Sequence, residues 1–370
     1  MNYVINKENA IANRGNCHRL KNVLRRAVKQ EALTIGFIGG SITQGSLSSS
    51  PTTCYAYRVF DWWEKTFPDT AFTYINAGIG GTTSQLGVAR VEEDLLVKEP
   101  DFVIVEYSVN DDSNEHFRET YEGLIRKIYY SSTKPAVLIV HNVFYDSGAN
   151  AQVQHAKIGR YYNIPCVSMQ SSIYPEVVSG HINNRDITPD DLHPNDVGHE
   201  LVASVVCYFL DKINNERDVT EDSNETLLDS ITKNEYENSI RYRNKNITWT
   251  GTGFEADQSV QRHITECFKN GWTAEHVGDF IEFEVEASSI AVQYRKSVKQ
   301  PAPIAKIIID DDEENGVFLN SNFNETWGDK LELDTILERG ESGIHKVRVR
   351  IIDVKDNNAV PFYLVSIIGS

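Results

Sequence analysis

Three side chains in this 370-residue sequence have the types and spacing for acyl transfer: Ser41 in GGSITQG (39–45), and Asp190 and His193 in DDLH (190–193). A serine hydroxyl attacks a carbonyl usefully only when a base takes its proton and donors stabilise the oxyanion that forms. His193 can be that base. A carboxylate three residues earlier can fold back on Nδ1 and leave Nε2 facing the serine. The spacing favours Asp190 for this and leaves its neighbour Asp191 to water. Taken alone, Ser41 also suits a helix N-cap. GGSIT is not the G-x-S-x-G elbow either, because Thr43 stands where the second glycine would be, so an α/β-hydrolase is not the first reading.

The donors come from two other stretches. NAGIGGTT (76–83) places consecutive glycines where backbone N–H groups can approach a ligand without an intervening Cβ. SVND (108–111) offers the Asn110 side-chain amide. The amides of Ser41 and Gly81 with the Asn110 side chain would make a three-donor oxyanion hole. Among the other histidines, His141 ends a strand on the site side, His199 lies within the last helix as a surface or supporting group, and His116, His155 and His181 read as surface.

Such residues must be held by a scaffold, and the first half of the chain supplies one. LTIGFIGG (33–40), FTYINAG (72–78), DFVIVEYS (101–108) and AVLIVHNV (136–143) are apolar runs that end in Gly, Ser or Asn. Helical patterns lie between them, and strand–helix alternation predicts a parallel sheet with helices on both faces. Ligands of open α/β sheets bind beyond the carboxyl ends of the strands, where Ser41, Gly81 and Asn110 should fall. A last helix closes this unit near residue 213. Residues 214–240 are polar and acidic and read as a linker. Alternating strands such as FIEFEVEA and HKVRVRII then predict an all-β sandwich over 241–370.

Composition narrows the partners. A formal charge of −17 disfavours nucleic acid and anionic membrane. The first residues carry no apolar core of signal-peptide length, and no later run approaches a membrane span. Five widely spaced cysteines without a CxxC pair read as reduced, mostly buried thiols, so the expected location is cytoplasmic. IIIDDDEENG (307–316) lacks the calcium-loop spacing and reads as a solvated turn, so no metal site is expected. Trp62 and Trp63 read as packing or as a contact of a homo-oligomer.

Taken in order, GGSITQG, NAGIGGTT, SVND and DDLH resemble the four blocks of the SGNH (GDSL-like) hydrolases across about residues 30–213. The resemblance implies a three-layer α/β/α domain and a cofactor-free mechanism with Ser41 as nucleophile, His193 as base, Asp190 as its orienting acid, and Gly81 and Asn110 in the oxyanion hole with the Ser41 amide. Two positions depart from the family pattern. Gly40 replaces the Asp before the serine, and Ser108 replaces the Gly that opens the third block; neither carries the proton transfer.

The GGSIT form with an appended sandwich is similar to bacterial carbohydrate O-acetylesterases, in particular those that act on acetylated mannan. The sandwich itself resembles a jelly-roll-like carbohydrate-binding module. This implies an acetylated oligosaccharide as substrate, with manno-oligosaccharides first and xylo-oligosaccharides as the alternative. In the sandwich, Trp327 within NSNFNETWGDK is the candidate sugar-stacking ring, while Trp249 and Trp272 read as core. A short-chain thioesterase or lipid esterase, and a non-catalytic glycan-binding protein, are the competing readings. The intact set of catalytic residue types argues against the last.

Overall fold

The computed structural model describes residues 3–223 and 226–370, which form two compact units, Met1–Glu237 and Asn238–Ser370. In the first, chain order runs β1 (Ile11–Asn13), α1 (His18–Val28), β2 (Leu33–Gly39), α2 (Ser41–Gln44), α3 (Tyr55–Thr66), β3 (Phe72–Gly78), α4 (Ser84–Asp94), β4 (Phe102–Glu106) and α5 (Glu115–Tyr129). It continues through β5 (Ala136–His141), α6 (Gln152–Tyr161), β6 (Cys166–Ser168), α7 (Ile173–Val178), α8 (Asn184–Ile187) and α9 (Asp196–Asn215). The sheet order is β1-β6-β5-β4-β2-β3, parallel except for β1.

Strands β4 and β5 are buried at every position, as expected for strands covered on both faces. Ile35, Phe37, Ile104, Leu138 and Val140 pack with residues of α1, α3 and α9 in one core, while α4, α5 and α6 pack against one another in sequence. Trp63 is buried there, and Trp62 donates from Nε1 to Asp211 at 2.8 Å, so both serve packing within the unit.

Register decides where the site lies. Gly39 at the end of β2 stands opposite Gly78 on β3 and opposite Glu106 on β4. The chain leaves β2 for β3 on one side and returns to β4 on the other, so the strand order reverses at β2, and the crevice there is where ligands of open sheets bind. Ser41, Gly81 and Asn110 all follow those three aligned ends.

The segment expected as a linker (214–240) is largely part of the first unit. Buried carboxylates on α5 require donors, and this segment supplies them: the Ile231 and Thr232 amides each donate to Glu122 at 2.8 Å. Arg126 pairs with Glu237 at 2.6 Å, Lys21 pairs with Glu221 at 3.0 Å, and Tyr236 is buried. The polar composition that suggested a linker serves instead to satisfy buried charge.

The second unit comprises β7 (Ile240–Tyr242), β8 (Trp249–Thr252), β9 (Glu255–Ala256), β10 (Trp272–Ala274), β11 (Phe280–Ala287), β12 (Ile290–Lys296), β13 (Ile304–Ile309), β14 (Val317–Asn320), β15 (Lys330–Leu337), β16 (Gly343–Asp353) and β17 (Phe362–Gly369). They form two antiparallel sheets, β15-β12-β17-β10-β9 with β7 beside β17, and β14-β13-β16-β11-β8. Alternation carries the packing. Ile281, Phe283, Val285 and Ala287 of β11 face a core shared with Val292, Leu364 and Ile367 from the other sheet, which makes a sandwich. Trp272 is buried and Trp249 packs at its margin, whereas Trp327 lies exposed between β14 and β15, edge-on to Phe323 at 5.2 Å. The acidic stretch 310–316 joins β13 to β14, with Asp310 bonded to His345 and Asp311 to Lys346.

Candidate active site

Ser41 opens α2 at the end of β2, and its side chain is almost enclosed. His193 comes from the turn that leads into α9, whose start is capped by Asn195 accepting from the Val197 and Gly198 amides. The ring is fixed at both nitrogens: Nε2 lies 2.8 Å from Ser41 Oγ and Nδ1 lies 2.6 Å from Asp190 Oδ2. Asp190 is itself held, because its Oδ1 accepts from the backbone amides of His193 at 2.7 Å and Leu192 at 3.1 Å. Partial burial pushes the Asp190 carboxyl up, but the hydrogen bonds from the His193 side chain and these amides outweigh it and hold its pKa below the ordinary value. Asp191 has φ 69° and pairs with Arg185 at 2.8 Å, so it engages a cation and takes no part at His193.

The glycine loop and Asn110 flank the segment that carries Ser41. The Ser41 N–H, in the first turn of α2, has no partner within that helix. A Cβ on Gly80 would lie 3.6 Å from Ser41 Cβ, so the glycine loop passes directly beside the hydroxyl. Gln44 Oε1 accepts the Gly80 amide at 2.5 Å, and Gly81 follows with φ 69°, a backbone state that favours glycine. On the other side, the Asn110 side chain lies over the bare Cα of Gly40. In this chain the space that a side chain at Gly40 would fill holds Asn110. Ser108, the second departure, donates from Oγ to the Asn142 carbonyl at 3.1 Å and to Glu106 at 3.2 Å, knitting the ends of β4 and β5.

Three features of the surroundings were not read from sequence. Arg90 of α4 is fully buried and donates to the carbonyls of Ala77 at 2.7 Å and Gly39 at 3.3 Å and to Tyr107 OH at 2.9 Å, tying together the three strand ends of the site. His155, expected at the surface, is buried with Nε2 at 3.0 Å from Asp111. His199 is also buried; its Nδ1 accepts the Tyr55 amide at 3.2 Å, and burial lowers its pKa to about 4. His141 is wholly buried, His116 bonds Gln85, and His181 is exposed beside Glu176. The cysteines are all unpaired, and burial pushes the thiols of Cys17, Cys166 and Cys207 up to about 12, which leaves them unreactive.

A hydroxyl, an imidazole and a carboxylate in line form a site able to carry out acyl transfer through a covalent serine intermediate. Fold and site together define a serine ester hydrolase of the α/β/α type. The profile of the GDSL-like Lipase/Acylhydrolase family matches residues 37–201. The crystal structure of a two-domain esterase active on acetylated mannans is 66% identical, covers 99% of each chain and superposes with a TM-score of 0.97. A second structure of such an esterase, co-crystallised with mannopentaose, is 65% identical over 100% of this chain and 98% of that one, with a TM-score of 0.94. An acetylxylan esterase of Geobacillus stearothermophilus is 24% identical over 196 residues, 45% of this chain and 89% of that protein. Residues 37–201 are a GDSL-like lipase/acylhydrolase domain, the chain as a whole belongs with the two-domain esterases that it matches along 99% of its length, and it is a carboxylic ester hydrolase.

Proposed function

We propose that the protein removes O-acetyl groups from manno-oligosaccharides through an acetyl-enzyme on Ser41. The continuous Ser41–His193–Asp190 hydrogen-bonded line supports the chemistry. The likeness along the whole chain to an esterase active on acetylated mannans supports the substrate. Ser41 Oγ attacks the acetyl carbonyl carbon as its proton passes to His193 Nε2, and Asp190 stabilises the imidazolium. The tetrahedral oxyanion receives hydrogen bonds from the Ser41 and Gly81 amides and the Asn110 side chain. Collapse breaks the bond to the sugar oxygen, which takes the proton from Nε2. Water then attacks the acetyl-enzyme as His193 accepts its proton, acetate leaves, and Ser41 regains its hydrogen.

Trp327 is the proposed sugar contact of the sandwich, since its ring is 63% exposed and edge-braced by Phe323 in a loop rich in asparagine. The deciding experiment is acetate release from acetylated manno- and xylo-oligosaccharides, with wild type and Ser41→Ala side by side. Faster release from the manno-series, abolished in Ser41→Ala, is the expected result. Faster release from the xylo-series would reassign the glycan. Retention of activity in Ser41→Ala would refute the serine mechanism. Trp327→Ala should raise KM for the oligosaccharide while leaving turnover of an aryl acetate intact.

A further inference from the structure

The two loops that would form the oxyanion hole come from different strand ends, yet one carboxylate reaches both. After β4 the chain turns tightly, with the amides of Asn110 and Asp111 both donating to the Tyr107 carbonyl at 3.0 Å. Asp111 is thereby sent into the interior, where its side chain is fully enclosed. Its Oδ1 accepts the backbone amide of Ser84 at 2.8 Å. Ser84 is the first residue of α4, three residues beyond Gly81, so this bond fixes the end of the glycine loop.

The other oxygen, Oδ2, lies 3.0 Å from His155 Nε2. The His155 ring is buried and stacks on Tyr121 of α5, with centroids 3.6 Å apart and planes within 6°. Its helix is in turn attached to the same strand end, because the Ala151 amide donates to the Ser108 carbonyl at 2.7 Å. His155 Nδ1 is buried without a hydrogen-bond partner among the described residues. An imidazolium would place an unpaired N–H there, whereas a neutral ring leaves only a lone pair, so the ring carries its proton on Nε2 and donates it to Asp111.

We infer that Asp111 and His155 are positioning residues that hold the Gly81 loop and Asn110 in a single oxyanion geometry. This rests on the oxyanion-hole assignment made above for Ser41, Gly81 and Asn110. Neither residue touches substrate. Asp111 couples the loops, and His155 aims Asp111 by holding one oxygen so that the other faces Ser84. Without the His155 donor, the buried carboxylate loses one of its two partners and turns toward any other, and the donors lose their common alignment. A displacement of about 1 Å at such donors costs about 10²-fold in rate.

Two amide replacements of similar polarity test this on the full chain. The amide nitrogen of His155→Gln takes the place of Nε2 and reaches Asp111, whereas that of His155→Asn takes the place of Nδ1 and does not. With 4-nitrophenyl acetate, His155→Asn should lose about 10-fold to 100-fold in kcat with KM unchanged. The inhibition constant of a small alkylboronic acid, whose tetrahedral serine adduct puts an oxygen in the hole, should weaken by the same factor. His155→Gln should restore both. Folding is checked by near-ultraviolet circular dichroism, and if His155→Asn does not fold, His155→Leu keeps the apolar volume and answers the same question. Equal kcat for the Asn and Gln variants, or a change confined to KM, overturns the inference. Ser41→Ala separates the two levels: residual turnover there refutes the serine reading itself, whereas an inert Ser41→Ala beside a fully active His155→Asn refutes only the role of His155.

Discussion

The side chain of Asn110 occupies the place that a Cβ on Gly40 would take: a carbon built there falls 2.1 Å from Asn110 Oδ1 and 2.9 Å from its Nδ2. Gly40 itself has φ −88°, so the backbone does not demand glycine and the constraint is the contact. Gly40→Ala should therefore act by displacing Asn110. The expected loss in kcat is about 10²–10³-fold, that of removing one oxyanion donor. Asn110→Ala should lose as much, and the double variant no more than either, because the two changes remove one interaction. Additive losses in aryl acetate turnover would separate the residues.

Asp190 is held by two backbone amides and bonded to His193 Nδ1, which fixes both the orientation and the tautomer of the ring. Asp190→Asn keeps the shape and exchanges an acceptor for a donor at one position, favouring the tautomer with Nε2 protonated, which cannot accept from Ser41. Because the Asp190 side chain is 45% exposed, solvent moderates the effect, and kcat should fall by about 10²–10⁴-fold with KM little changed. Single-turnover kinetics with an aryl acetate measure this, and a loss below about 10-fold would remove Asp190 from the proton relay.

How much of this was legible depends on whether the determinant was local. Asp190 and His193 are three residues apart, so sequence spacing carried the pairing. Ser41, Gly81 and Asn110 lie far apart, but each follows an apolar run, and the parallel register of β2, β3 and β4 brings such ends together. Nothing local marked His155, whose partner Asp111 is 44 residues away and reached only through the packing of α6 on α5. Nothing local marked Arg90 either, and only the fold turns it inward. Residues 214–240 read as a linker because they are polar, yet Ile231 and Thr232 within them satisfy the Glu122 carboxylate, a need visible only once α5 is packed.

Glu106 at the end of β4 gives a pH signature. Burial pushes its carboxyl up to about 7 against the hydrogen bond from Ser108 that lowers it. An unfolded glutamate titrates near about 4.3, so between that pH and about 7 the folded chain holds a proton that the unfolded chain has released. Stability contributed by this group therefore declines as pH rises through that window. His199 acts in the opposite sense. Its folded pKa is about 4, so the unfolded chain binds more protons between there and about 6.5, and stability rises with pH across that range. Glu106→Gln removes only the first effect. Its stability relative to wild type should increase from pH 4.5 to pH 8, read from urea midpoints, and a constant difference across that range would show that Glu106 releases its proton in the folded chain at the same pH as in the unfolded one.

Arg90 should be a determinant of stability as well as of site geometry. Its guanidinium is wholly buried, pairs with Asp94 at 2.8 Å, and serves two carbonyls and a phenol from three strand ends. Arg90→Met fills much of the volume but leaves Asp94, itself only 8% exposed, as an unpaired buried charge. Breaking a buried pair in this way costs about 3–5 kcal/mol. Arg90→Lys retains a charge, but a compact ammonium cannot span the Asp94 carboxylate and the Ala77 carbonyl as a planar fork does, so it should recover only part of the loss. Arg90→Met/Asp94→Leu removes both charges and should be more stable than Arg90→Met alone. Urea unfolding of the three variants measures this, and a double variant no more stable than Arg90→Met would show that the carbonyl contacts, rather than the ion pair, make Arg90 necessary.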